Sequence, residues 1–135
     1  MSLDRHHNAF LALLGLTLVR WKAGRAEFDL AVDHRHTNWQ GVLQGGLLAT
    51  MLDAACGYAG LAGVPGEADR QGVTLSLAVN YLGRVEVGAG GRRLRAVGEV
   101  TGGGRRIYFS HGTVLTEDGT VVATAQGSFK RLALR

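Results

Sequence analysis

The 135-residue chain contains one cysteine, Cys56, and one proline, Pro65. A single cysteine excludes an intrachain disulfide and an all-cysteine metal site, and it points to a reducing, cytoplasmic setting. The scarcity of proline excludes Pro-rich and collagen-like chains. No apolar run approaches the roughly 18 residues that a membrane-spanning helix needs. The first residues lack a basic region followed by an apolar stretch, so no secretion signal is expected. The five histidines show no metal-ligand spacing with a third ligand, and no metal is expected. Zinc-finger spacing, a Lys-rich tail and interleaved aromatics are all missing, so nucleic acid is not an expected partner.

What is present is glycine, 21 residues, scattered through a chain that is 46% apolar. Such a chain buries a core rather than serving as a linker, and its length suits one domain, residues 1–135. The net charge is +4. Nine of the fifteen basic residues lie in residues 84–135, against four acids, Glu86, Glu99, Glu117 and Asp118. A basic half suits a solvated strand surface or a phosphorylated ligand.

The pattern along the chain predicts an α+β domain. A short helix is expected over about residues 8–14, capped by Asn8 and ended by Gly15. Strands follow over 16–21 and 25–32, then a polar loop over 33–44. Residues 45–61 form a long apolar stretch that reads as one buried helix. Strands at 73–82, 92–100, 107–115 and 120–129 complete an antiparallel sheet wrapped on that helix. The first of these alternates strictly, with Val73, Leu75, Leu77, Val79 and Tyr81 on one side. Hairpin turns are expected at 101–105 and 117–119. The glycines from Gly83 to Gly119 are expected in turns and strands for conformational reasons.

The long helix carries a single carboxylate, Asp53. At 100° per residue, Gly46, Asp53 and Gly60 fall on one line, flanked by Ala49, Thr50, Cys56 and Gly57. A carboxylate on a stripe of small residues, with no charged neighbour one turn away, points to function. Cys56 reads as a small core residue. At the helix start, Gly41, Gly45 and Gly46 leave backbone N–H groups open to an anion or a polarised carbonyl oxygen. Gly45 and Asp53 are eight residues apart, about 12 Å along the axis. A base and an oxyanion donor must both reach within about 3 Å of one reacting group. One helix cannot present both, but two antiparallel copies can. If both features are catalytic, a two-fold dimer with shared sites follows.

The run from Asn38 through Gly41, Gln44, Gly45 and Gly46 to Asp53 resembles the Asn-x-x-Gly-x-x-His-Gly-Gly-x-x-x-x-x-x-Asp signature of hotdog-fold acyl-CoA thioesterases. The chain is most similar to the phenylacetate-pathway (PaaI-like) branch of the 4-hydroxybenzoyl-CoA thioesterase superfamily. The resemblance implies that Asp53 activates water or attacks the thioester carbonyl. It implies that the N–H of Gly45 or Gly46 polarises that carbonyl, that Asn38 helps bind the thioester, and that Thr74 helps position water. It also implies a homodimer at least, with a homotetramer expected, and no cofactor beyond the coenzyme A of the acyl-CoA substrate. Arg84, Arg105 and Arg106 fall where the family often contacts coenzyme A. Gln44 departs from the pattern, standing where the family has histidine, and glutamine cannot titrate. His36 is a conceivable replacement, but it reads more simply as a loop histidine. A non-catalytic acyl-CoA or aromatic-ligand binding protein on the same fold is the alternative reading.

Overall fold

A computed structural model describes residues 8–88 and 91–133. The first seven residues, on which the expected absence of a secretion signal rests, lie outside the described residues. Helix α1 spans Ala9–Leu14, and the Asn8 side chain accepts from the Leu11 N–H at its start. Gly15, at φ 84°, closes it in the left-handed conformation that glycine adopts freely. Strands β1 (Thr17–Lys22) and β2 (Arg25–Val32) form a hairpin. A loop containing one 3-10 turn, His34–His36, leads to helix α2, Gly45–Ala59. Strands β3 (Gly72–Tyr81), β4 (Arg92–Gly103), β5 (Ile107–Thr116) and β6 (Val121–Arg131) follow.

The six strands make one antiparallel sheet in the order β1-β2-β4-β5-β6-β3. The sheet curls around α2, whose Leu48, Met51, Leu52 and Ala55 are buried against Phe28, Leu30, Ala96 and Val114. Among the described residues no helix is long and apolar enough to cross a membrane.

The helix settles unusually close to the sheet, and two glycines allow it. Gly98 on β4 and Gly112 on β5 are cross-strand partners. A Cβ on Gly98 would lie 2.2 Å from the Ala55 carbonyl oxygen, and one on Gly112 would lie 2.6 Å from Cys56 Sγ. Neither has a positive φ. Their role is therefore close approach, not the conformational freedom expected from sequence. The contact is fastened by hydroxyls, with Ser110 donating to the Cys56 carbonyl at 2.9 Å and Tyr108 to that of Gly57 at 2.5 Å.

The main departures from expectation lie in α2, β4 and β3. α2 ends at Ala59 rather than Leu61, because Gly60 caps it. β4 runs on to Gly103, so its hairpin turn lies at 104–106. The strict alternation of β3 is broken by a register shift between Thr74 and Ser76. Beyond the shift Leu77 and Val79 face the core, but Thr74, of opposite parity, also turns toward α2. A bulge re-aims a side chain in this way, and here the side chain belongs to the candidate site.

Candidate active site

Asp53 lies half-buried midway along α2. Its partner is a hydroxyl rather than a cation, since Thr74 donates to Asp53 Oδ1 at 2.6 Å. That bond occupies one carboxylate oxygen and leaves Oδ2 for another partner. The two residues share a cleft of about 190 Å³ between α1, α2 and the start of β3. Its other walls are mostly apolar, with Phe10 and Leu11 from α1, Ala54, Gly57, Tyr58 and Leu61 around α2, and Tyr108 and Phe129 from the sheet. The rings of Tyr108 and Phe129 stack at 5.3 Å between centroids. Tyr58 is held by edge-on contact with Phe28 and by a tilted contact with Trp21.

Cys56 is fully buried on the side of α2 that faces the sheet. Burial, with the Asp53 carboxylate adding to it, pushes the Cys56 thiol up to about 12. It stays a neutral core thiol at physiological pH and is no nucleophile. Burial likewise raises the Tyr108 hydroxyl to about 12, with the Arg131 guanidinium 4.4 Å above its ring acting in the opposite sense. Among the described residues no group of three or more His, Cys, Asp or Glu is placed to hold a metal ion.

The remaining sequence candidates lie apart from this cleft. Gly45 and Gly46 open α2, where the first N–H groups have no carbonyl one turn back to accept them. Gly46 is exposed, and the Gly45 carbonyl accepts from the Tyr81 hydroxyl at 2.9 Å. Gln44 is exposed and makes no side-chain bond to the helix start. Asn38 Oδ1 accepts from the N–H groups of Gln40 and Val42, so this side chain shapes the loop that leads to Gly45. Trp39, beside it, is 93% exposed. His36 is buried, with Nδ1 accepting from the Asp33 N–H and Nε2 donating to the Leu14 carbonyl. Both ring nitrogens are committed to structure, so His36 does not replace the missing histidine.

The three arginines are not brought together within one chain. Arg84 follows β3 at the end near Val122 and lies 3.5 Å from Glu86. Arg105 and Arg106 lie exposed at the β4–β5 turn, beyond the opposite end of β3. Arg131 fastens that turn to α2 by donating to the carbonyls of Gly60, Gly104 and Arg105. Sequence reasoning missed the α1 contribution to the cleft, because six residues far from the motif give no local sign of where they fold back.

Helix, sheet and motif find a common explanation in the comparisons with known proteins. The profile of the thioesterase superfamily matches residues 40–123. The chain belongs to the thioesterase superfamily. Among solved structures, the conserved protein PA5202 from Pseudomonas aeruginosa is 31% identical, with a TM-score of 0.81 over 98% of this chain and 100% of that one. A variant of the phenylacetic acid degradation protein PaaI from Thermus thermophilus is 26% identical, with a TM-score of 0.79 over 93% of this chain and 100% of that one. A protein of Streptococcus mutans, bound to acetyl CoA, is 22% identical, with a TM-score of 0.75 over 89% of this chain and 90% of that one, and shows the shared fold. None of the curated proteins matches the sequence. This thioesterase-superfamily chain thus has the hotdog fold expected from its sequence.

Proposed function

We propose that the protein is an acyl-CoA thioesterase acting on a small aryl- or acyl-CoA. The observation that carries this reading is the Asp53–Thr74 pair at the edge of an apolar cleft. A carboxylate there needs a reason, since burial of a charge among apolar groups is costly. With Oδ1 held by Thr74, Oδ2 is the oxygen available to a water molecule or to the thioester carbonyl carbon. As general base, Oδ2 takes a proton from water as the water attacks that carbon. The tetrahedral intermediate then collapses, the C–S bond breaks, and free acid and coenzyme A leave. As nucleophile, Asp53 forms an anhydride first, which water then hydrolyses. Both routes need a donor for the carbonyl oxygen, and the N–H groups opening α2 supply the right dipole. No cofactor beyond the coenzyme A of the substrate enters either route.

That donor comes from a second copy. Gly45 lies about 12 Å from Asp53 along one axis, too far for one reacting group. β3 is an edge strand, with Val73, Leu75 and Leu82 exposed along and just beyond it. Antiparallel pairing of two β3 edges sets the two α2 helices antiparallel, and the partner's Gly45 faces Asp53. The same operation carries the partner's Arg84 toward Arg105 and Arg106, where guanidinium groups suit the coenzyme A phosphates. Exposed Gln44 supports a second reading, a binding protein without turnover.

The two readings separate in one assay. Thiol release from benzoyl-, phenylacetyl- and hexanoyl-CoA is expected for the natural sequence, and Asp53→Asn is expected to reduce kcat by about 10²- to 10⁴-fold. Ester binding by calorimetry with no thiol release would establish the binding protein instead.

A further inference from the structure

We infer that α1 is the outer wall of the acyl pocket, and that Phe10 and Gly57 together limit the acyl group to a single ring or a short chain. This rests on the thioesterase reading of the Asp53 cleft.

The cleft runs along α2 from Thr50 past Asp53 to Leu61. An acyl group whose carbonyl sits at Asp53 meets Gly57 one turn later, about 6 Å along the axis. Tyr108 and Phe129 line the cleft beside Gly57, and Phe10 and Leu11 of α1 form another of its walls. The volume, about 190 Å³, is modest. An apolar cavity of about 150 Å³ holds benzene, so a ring with a short tether fills the cleft, and a long straight chain would have to extend past the Phe10 wall.

Gly57 is a glycine that the packing of α2 does not require. It has no positive φ, and a Cβ on it would make ordinary contact with the Phe129 ring at 3.6 Å. Gly60, by contrast, has the Tyr108 ring 2.2 Å from where its Cβ would be. A glycine inside a helix weakens it, so one kept without a backbone or packing need leaves its vacant volume as its contribution. Phe10 tells a matching story from the other wall. It is 58% exposed, so it adds little to the core, yet it lines the cleft while Leu11 beside it is buried and anchors the helix.

The test measures kcat/KM for acetyl-, phenylacetyl-, hexanoyl- and dodecanoyl-CoA in the natural sequence, Phe10→Ala, Gly57→Ala and Gly57→Leu, with a melting curve for each. The natural sequence should favour phenylacetyl and hexanoyl over dodecanoyl. Phe10→Ala should narrow the preference against dodecanoyl by about tenfold. Gly57→Leu should lower phenylacetyl relative to acetyl by about tenfold, mainly through KM. Gly57→Ala, which the helix accepts, should move the same ratio in the same direction and keeps the test open if the leucine variant fails to fold. An active enzyme whose ratios stay within about twofold in Phe10→Ala and Gly57→Ala overturns the inference and leaves the thioesterase reading standing. Absence of thiol release from every ester in the natural sequence overturns both.

Discussion

At Asp53 a single hydroxyl sets the orientation of the carboxylate. Thr74 donates to Oδ1 at 2.6 Å and fixes the carboxylate plane, which aims Oδ2. Thr74→Val keeps the β-branched shape that a strand prefers and removes the donor. We expect kcat to fall by about tenfold with KM little changed and the melting temperature held, because Thr74 is exposed. Steady-state kinetics with a melting curve checks this. A second carboxylate acts on stability instead. Asp118, in the β5–β6 turn, accepts from the Thr116 hydroxyl and the Thr120 N–H. The Thr116 hydroxyl is the main cause that brings its carboxyl down to about 2. A lowered pKa stabilises the fold above the ordinary value, and the effect is lost as pH falls through the lowered one. Asp118→Ala should therefore be less stable than the natural sequence at neutral pH. The difference should close between about pH 4 and pH 2, as read from urea midpoints along that range. Asp53 was legible in the sequence as a candidate because it stands out as the only charge on an apolar helix. Phe10 was not legible, because its place in the cleft is set by the tertiary return of α1.

Among the elements, α2 and the sheet depend on one narrow contact. Gly98→Ala would drive a Cβ into the Ala55 carbonyl oxygen, where backbone rather than a flexible side chain must give way. Such overpacking costs on the order of 3 kcal/mol, and a clear fall in melting temperature is expected. Gly88→Ala, whose Cβ would meet nothing within 4 Å, should leave it unchanged and serves as the control. The elements themselves were readable from periodicity, since α2 is long and apolar and β5 alternates cleanly in burial. The bulge in β3 was not, because hydrophobic alternation in the sequence continues through it while the register shifts. That one-residue shift is what turns Thr74 toward Asp53. The pairing of Gly98 with Gly112 was equally hidden, because it arises from strand register and helix depth rather than from local sequence.

For the whole molecule, the decisive length is the spacing between Gly45 and Asp53 on α2. It was visible in the sequence once a helix was assigned, and the structure retains both residues in one unbroken helix, Gly45–Ala59. The three arginines follow the same logic, since they lie at opposite ends of β3 in one chain and the proposed pairing of two antiparallel edges would bring them together. If each site draws Asp53 from one subunit and the N–H donor from the other, two inactive variants can repair each other. Asp53→Asn removes the base. Gly45→Pro removes the N–H, and proline is tolerated at the first position of a helix after the extended Gln44, at φ −65° and ψ 129°. The direct measurement is thioesterase activity after the two purified variants are mixed and their subunits exchanged. The shared-site account predicts recovery to about a quarter of the natural activity, from one intact site in each mixed dimer. Activity no greater than the average of the two separate variants would contradict it and place each site within a single chain.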